Sequence, residues 1–394
     1  MSAARRRRRL LMIEQGGRGG VADYTGALVA QLARDGWDVQ LATADDHRYA
    51  PADGVTVVPV FHYMRDDRAI GRALRSRGLG KPVNGIRFLL SLPALMRLAR
   101  ANEIVHSQGW EIPQIGLVAM FCLRLTDTKI VQTAHGTFER SSRFLRLRRV
   151  VRALTARLTA RTIVHTEADL ARLAPEAARH AVVIPHGEYG GLARTGGEAD
   201  RAASRAELGI DAEVPVTLMF GQLRADKGLG DLIEAMDRVP ALHLLIGGQE
   251  AGALAEHAEA LERLTAAGRV TLREGFLDMT EAAGLFAASD TVALPYQVAS
   301  QSGVLLLAYG FSRPVIVYPV GGMAEAVIDG ETGWVCERAD AEALTVALAA
   351  SVAAGAEECA RRGEAGSRLS EERYSWTAIA ARTEALYEEV LSDG

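Results

Sequence analysis

Short apolar, β-branched runs alternating with amphipathic stretches constrain this chain more than any other feature, and the alternation occurs twice. The first series covers residues 10–14, 39–44, 55–60, 104–106, 129–133, 162–164 and 182–184; the second covers 216–220, 243–246, 270–273, 291–294 and 315–318. Runs this short and apolar read as strands buried on both faces, and the helical spacers between them make the strands parallel. In the first spacer Val21, Tyr24, Leu28, Val29 and Leu32 recur at helical spacing up to Gly36. Each series therefore predicts a doubly wound α/β domain, and two cores imply a cleft between them. At 394 residues the chain has the length for two such domains. A polar, Gly- and Ala-rich stretch over residues 188–205 separates the series. The expected division is a first domain at 1–190, a linker at 191–211, a second domain at 212–373 and a closing helix at 374–394. Ile379, Ala380, Leu386, Tyr387 and Val390 give that helix an apolar face that needs a partner surface.

Several classes are excluded early. Cys122, Cys336 and Cys359 are scattered, odd in number and without C-x-x-C spacing, so they form neither a disulfide framework nor a thiolate metal site. The nine histidines show no H-x-x-x-H spacing, and no metal is expected. Arg5 to Arg9 precede an apolar run that stops at Glu14, too short for a signal peptide, and no stretch approaches the ~20 apolar residues of a spanning helix. A cytoplasmic protein is expected. The net charge of −4 hides an asymmetry: residues 1–190 hold 29 Lys and Arg against 17 Asp and Glu, a net +12, and the remainder is −16. The basic half is expected to face something anionic. Its strongest candidate is the segment 140–161, where Arg140, Arg143, Arg146, Arg148, Arg149, Arg152, Arg157 and Arg161 interleave with Phe144, Leu145, Leu147, Val150, Val151, Leu154 and Leu158. Such a helix either lies on anionic lipid at a membrane periphery or is a core helix with a solvated cationic face. No aromatic-rich surface accompanies the charge, so nucleic acid is not expected.

Four turns have the composition of ligand loops. Gln15-Gly16-Gly17-Arg18-Gly19-Gly20 follows the first strand, where an open α/β sheet places ligands, and its glycines let backbone amides approach a phosphate. It is not G-x-G-x-x-G, although Asp45 ends the second strand as a dinucleotide fold would want. Gly221-Gln222-Leu223-Arg224-Ala225-Asp226-Lys227-Gly228 follows the first strand of the second domain, and its two cations can bracket a diphosphate. Lys227 stands near a helix start, where a cation opposes the helix dipole, and that placement points to an anionic ligand. Gln301-Ser302-Gly303 opens a buried helix, and Gly321-Gly322-Met323-Ala324-Glu325 repeats the arrangement after the next strand. In the first domain His106, Trp110 and Glu111 lie in a loop suited to an acceptor or sugar, and His135 follows another strand.

The segments VQTAHGTF, VIPHG, FGQLRADKGLGDLIEAM, SGVLLLAYGFSRPVIVYPVGGMAEAVIDGETGWV and RYSWTAIA, with the glycine loop after the first strand, resemble glycosyltransferase family 4 in order over nearly the whole chain. The resemblance implies the GT-B fold, two doubly wound parallel-sheet domains facing each other across a cleft. It implies sugar transfer from a nucleotide diphosphate sugar with retention of anomeric configuration, usually without a metal or cofactor. The N-terminal domain would bind the acceptor (polysaccharide, lipid or small natural product) and the C-terminal domain the donor, with the last helix crossing back to the first domain. Carried over by position, Arg224 and Lys227 grip the donor diphosphate, Gln301, Ser302 and Gly303 assist at the helix start, Gly221 belongs to the same donor loop, Gly19 and Gly20 lie under the phosphates, and His135 lies beneath the transferred sugar. Members commonly carry two glutamates seven residues apart in the third cluster. Here the places fall on Ala299 or Ser300 and on Leu307 or Ala308, leaving Glu325 as the candidate substitute at the ribose. Two rivals stay open: a nicotinamide-dependent oxidoreductase built on the glycine loop and Asp45, and a non-catalytic nucleotide-sugar-binding protein.

Overall fold

In the computed structural model the described residues are 8–64, 76, 80–110, 113–135, 145–188, 193, 196–197 and 199–393. The chain divides into two units, Met1–Gly187 with Trp376–Gly394, and Glu188–Ser375.

The first unit carries a seven-stranded parallel sheet in the order β3-β2-β1-β4-β5-β6-β7. Its strands are β1 (Arg9–Ile13), β2 (Asp38–Ala44), β3 (Val55–Phe61), β4 (Ile104–Ser107), β5 (Lys129–Thr133), β6 (Arg161–Val164) and β7 (Ala181–Val183). Leu10, Leu11, Met12 and Ile13 of β1 are fully buried, as a central strand covered on both faces requires. On one face α1 (Gly20–Arg34) supplies Tyr24, Leu28 and Leu32 to a core with Leu10, Met12 and Val39. On the other, α2 (Gly80–Arg100) and α3 (Pro113–Arg124) supply Phe88, Leu92, Leu95, Ala119, Met120 and Leu123 to a core with Leu11, Ile13 and Val105. The next helix, α4 (Leu145–Leu158), packs beside α3.

The second unit carries a six-stranded parallel sheet in the order β10-β9-β8-β11-β12-β13. Its strands are β8 (Val216–Phe220), β9 (His243–Gly248), β10 (Val270–Glu274), β11 (Thr291–Leu294), β12 (Val315–Val317) and β13 (Gly333–Val335). The stretch expected as a linker at 191–211 contains α5 (Arg201–Leu208), capped by the Asp200 side chain and ended by Gly209 in the left-handed conformation. This helix belongs to the domain because Arg205, 2% exposed, donates to the carbonyls of Ala288, Asp211, Ala212 and Val214 and pairs with Asp290. Next come α6 (Leu229–Arg238), α7 (Met279–Ala288) and α8 (Gly303–Gly310).

The chain closes with α9 (Ala341–Tyr374) and α10 (Trp376–Ser392). By length and composition this run passes as a membrane span, against the expectation that no stretch would. It is not one continuous rod, since Gly355 and Ser375 leave helical geometry. Its apolar residues also enter separate cores, Leu344 and Leu348 in the second unit and Ile379, Leu386 and Tyr387 in the first. Trp37 Nε1 donates to Glu384 at 2.8 Å, and Arg161 pairs with Glu389, so α10 has the partner surface its pattern demands.

Candidate active site

Both sheets reverse their strand order once, and ligands of open α/β sheets bind outside the carboxyl ends of the strands at that point. In the second unit the reversal falls between β8 and β11. The loop after β8 and the loop after β11 are joined there. Gly228, at φ 76°, approaches so closely that a Cβ would stand 2.0 Å from the Pro295 carbonyl oxygen. The Gln297 amide donates to the Asp226 carbonyl at 3.0 Å. Lys227 Nζ sits 3.4 Å from the centroid of the buried Tyr296 ring, a cation–π contact that holds the ammonium at the loop junction. The Tyr296 hydroxyl, pushed up to about 12 chiefly by burial, accepts from Ser302 at 3.5 Å.

Arg224 is held differently. Its Nε and Nη2 donate to the two carboxylate oxygens of Asp226 at 2.8 and 2.9 Å, and Nη1 reaches Gln222. This fork fixes the guanidinium and raises its already high pKa, so the group keeps its charge at any working pH. Ser302 caps α8 by accepting from the Leu305 amide, with Gly303 exposed as its first residue. The Gly322 amide donates to the Ser300 carbonyl at 2.9 Å, tying in the loop after β12, where Glu325 lies exposed. Arg224, Lys227, Gln301, Ser302 and Gly303 thus lie on two loops joined at one end of one sheet. Gly221 contributes backbone: at φ 111° it lies so near Gly248 that a Cβ there would stand 1.8 Å from its carbonyl oxygen.

In the first unit the reversal lies between β1 and β4. Glu14, which sequence reasoning had treated only as the end of a strand, organises this point. The carboxylate is buried and accepts from the Gly16 and Gly17 amides, each at 2.7 Å, from the Tyr49 hydroxyl at 2.7 Å and from Thr43 at 3.3 Å. Gly17 adopts φ 67°, and a Cβ there would meet His47. With 14–17 held this way, Gly19, the N-cap of α1, and Gly20 face open space, where a Cβ would meet nothing within 4 Å. Arg18 is paired with Asp46, and Asp45, the acid a dinucleotide site would use, faces His62 at 3.0 Å.

His135 joins a ring cluster. It stands 2.7 Å from Gln108 through Nε2 and 3.2 Å from His165 Nε2 through Nδ1, while His165 Nδ1 faces the Ile184 carbonyl at 2.9 Å. The Ile184 carbonyl and Gln108 Oε1 are both acceptors, so neutral His165 carries its proton on Nδ1 and neutral His135 carries its proton on Nε2. Tyr24 lies edge-on to His135 at 4.9 Å and near His165, His186 and Trp376. Burial first, then the neighbouring histidines, hold His135 well below the ordinary imidazole range; His186 is lowered to about 3 for the same reasons. His165 and His186, which are not among the sequence-derived candidates, therefore share the surroundings of His135. The sequence carried a signal for this: His135, His165 and His186 each follow one of the adjacent strands β5, β6 and β7 at the same end.

The structure gives partners within the first unit to two of the acceptor candidates. His106 is fully buried with both ring nitrogens engaged, Nδ1 by the Tyr387 hydroxyl at 2.5 Å and Nε2 by Thr133 at 2.7 Å, so it joins α10 to the sheet. Trp110 is spent largely on packing: it meets Phe88 edge-on at 5.8 Å and covers Gly116, where a Cβ would stand 2.4 Å from the indole. Glu111 lies outside the described residues.

Comparison with known proteins agrees with this geometry. Residues 19–187 match the model of a glycosyl transferase 4-like domain, and residues 214–354 match glycosyl transferases group 1. A D-inositol 3-phosphate glycosyltransferase of Segniliparus rotundus is 33% identical over 224 residues, 54% of this chain and 47% of that protein. The match thus spans about half the length of that curated relative. Another, of Rhodococcus opacus, is 27% identical over 390 residues, covering 92% of this chain and 83% of its own. Among solved structures, sucrose-phosphate synthase from Thermosynechococcus elongatus superposes with a TM-score of 0.72 at 20% identity, covering 98% of this chain and all of that one. Anabaena HepE, solved with UDP, does so with a TM-score of 0.72 at 17% identity, covering 97% of this chain and 100% of its own. These likenesses share the fold of two Rossmann-like parallel-sheet domains. With both halves matched in order by models of one family, the chain belongs to glycosyltransferase family 4 and has the GT-B fold.

Proposed function

We propose that the protein transfers a hexose from a nucleotide diphosphate sugar to an acceptor hydroxyl with retention of configuration. The observation that carries this is the pairing of Arg224 and Lys227 on a loop joined to the start of α8 at the strand-order reversal. Two fixed cations beside a helix start suit a diphosphate, which needs charge neutralisation and hydrogen-bond donors together. In this reading the bond from the anomeric carbon to the diphosphate oxygen breaks while the acceptor oxygen bonds to the same face. The acceptor's proton passes to the leaving phosphate oxygen. Arg224 and Lys227 stabilise the charge growing there and do so without a metal or cofactor. His135 contacts the transferred sugar, Gly19 and Gly20 lie under the donor phosphates, and Glu325 serves the ribose.

Because HepE was solved with UDP and with UDP-glucose, a uridine donor is the first to test. The acceptor class stays as broad as polysaccharide, lipid or small natural product, and the working location is cytoplasmic. A thermal-shift screen against UDP, GDP, ADP, CDP and dTDP tests the donor reading, since a ligand of the native state raises its melting temperature. One nucleotide should stabilise the protein, and by less in Arg224→Ala and Lys227→Ala. No response to any of the five, with a response to NADH instead, would hand the site to the oxidoreductase reading. Donor binding without turnover across a panel of sugars and acceptors would favour a binding protein.

A further inference from the structure

Most of the large hydrophobic side chains left exposed in the first unit cluster on three neighbouring helices. Ile86, Leu89 and Leu90 project from α2, Val118 and Phe121 from α3 with Leu125 just beyond its end, and Val150 and Leu154 from α4. The spacing explains the exposure. In α2 the residues Phe88, Leu92 and Leu95 turn to the sheet, so 86, 89 and 90 fall on the opposite side; in α3 the inward set is Ala119, Met120 and Leu123. These helices have a second apolar stripe with nothing of this chain beneath it among the described residues, and Leu90 is 75% and Phe121 58% exposed. They pack side by side, α2 on α3 and α3 on α4, so the outward stripes form one surface.

Charge says what covers it. Helices α2, α3 and α4 together carry ten Lys and Arg (Lys81, Arg87, Arg97, Arg100 and Arg124, with five arginines on α4) and no Asp or Glu. The opposite face of the same unit is unlike it: α10 carries Glu384, Glu388 and Glu389. A second copy docking through the basic face would set like charges against each other around a two-fold axis. A lipid surface with anionic headgroups satisfies both features, accepting the apolar side chains among its acyl chains and the cations among its phosphates. We propose that α2, α3 and α4 form a docking face for anionic lipid, by which the first unit sits on a membrane periphery. The binding needs no donor, so its test stands apart from the sugar-transfer reading.

The full chain is sedimented with phosphatidylcholine vesicles and with vesicles containing phosphatidylglycerol. At low salt the anionic vesicles should retain roughly tenfold more protein, and the preference should collapse near 1 M salt, where screening acts over about 3 Å. Replacing Arg146, Arg149 and Arg152 together by Gln should remove most of the preference. Leu90→Ser with Phe121→Ser should weaken binding several-fold even at low salt. Both positions are exposed, and an unchanged melting temperature with an unchanged nucleotide-induced shift shows that the fold and the donor loops are intact. Equal recovery on neutral and anionic vesicles at low salt overturns the proposal, as does parental binding by the Leu90→Ser, Phe121→Ser variant. A concentration-dependent dimer that this variant abolishes, without vesicle binding by the parent, would assign the face to a second copy and also overturn it.

Discussion

The two sheets solve one problem with opposite chemistry. In the second unit, which is strongly acidic overall, the strand-order reversal is lined by cations, Arg224 on Asp226 and Lys227 on the Tyr296 ring. In the first unit, net +10 (30 Lys and Arg against 20 Asp and Glu), the described residues at the reversal are a buried carboxylate, a glycine loop whose one arginine is ion-paired, and a cluster of lowered histidines. Ten of this unit's lysines and arginines lie on α2, α3 and α4 rather than on the loops at the reversal. Net charge therefore reports which outer surfaces are basic, and it misplaces the chemistry; the side chains beside the strand ends locate that.

The largest difference to be expected between the units is their response to acid. His106 and His186 are lowered to about 3 and His135 and His165 are lowered too, all in the first unit, with burial the leading cause in each. The second unit has only His243 lowered among its described residues. A buried neutral imidazole takes up its proton only on unfolding. Its contribution is therefore fully present above the unfolded value near 6.5 and is lost as pH falls from there toward the folded value. A group lowered to about 3 tilts stability by about 1.4 kcal/mol per pH unit in this range, so His106 and His186 together remove about 3 kcal/mol from the first unit between pH 6.5 and 5, and His135 and His165 act in the same direction. Hydrogen exchange followed across that range should show the first unit opening before the second. Simultaneous loss in both units would break the contrast.

Next in size is the effect of the cations on turnover. Removing either Arg224 or Lys227 takes away a fixed charge at the point where the leaving diphosphate becomes most negative, a loss of about 2–4 kcal/mol in the barrier. Turnover should fall at least tens-fold, more than donor affinity weakens, in both Arg224→Ala and Lys227→Ala. His135→Ala should also depress turnover, with nucleotide binding largely kept, because its proposed contact is to the sugar. Steady-state kinetics beside the nucleotide thermal shift separates the cases. If the histidine variant loses nucleotide binding and the cation variants keep it, the assigned roles of the two units are exchanged.

The strands were legible because a buried parallel strand is an apolar run, and the loop of Arg224 and Lys227 was legible because its glycines and charges are adjacent in sequence. β13, Gly333–Val335, was missed: it is three residues long and begins with a glycine, whose Cβ would stand 2.2 Å from the Val315 carbonyl oxygen. The helix at 201–208 was taken for linker despite two readable signals, Asp200 before it and Gly209 after it. His106 looked like a site residue because it ends a strand, and only tertiary structure brings Tyr387 to it from the far end of the chain. Glu14 escaped for a related reason. An acid closing an apolar run looks like the strand's exit to solvent, whereas this one turns inward to the glycines two and three residues on.

Glu14 gives the smallest predicted effect and the sharpest form of the comparison. The second unit fixes its loop by backbone proximity, Gly221 against Gly248 and Gly228 against Pro295. The first unit uses one side chain, whose two oxygens receive two amides and two hydroxyls. Glu14→Gln keeps the volume but replaces one acceptor oxygen with an NH2, which must then face donors. At least one of the Gly16 and Gly17 amides loses its partner, at a cost of about 1–3 kcal/mol for a buried unsatisfied group. If the loop merely fills space, the variant should lose that stability and keep its kinetics. If Glu14 positions Gly19 and Gly20 for the donor, the Michaelis constant for the donor should rise as well, and Glu14→Ala, which frees both amides, should raise it further. Denaturant titration and donor kinetics on both variants distinguish these outcomes. Parental stability in Glu14→Gln would mean the carboxylate is not what holds the loop.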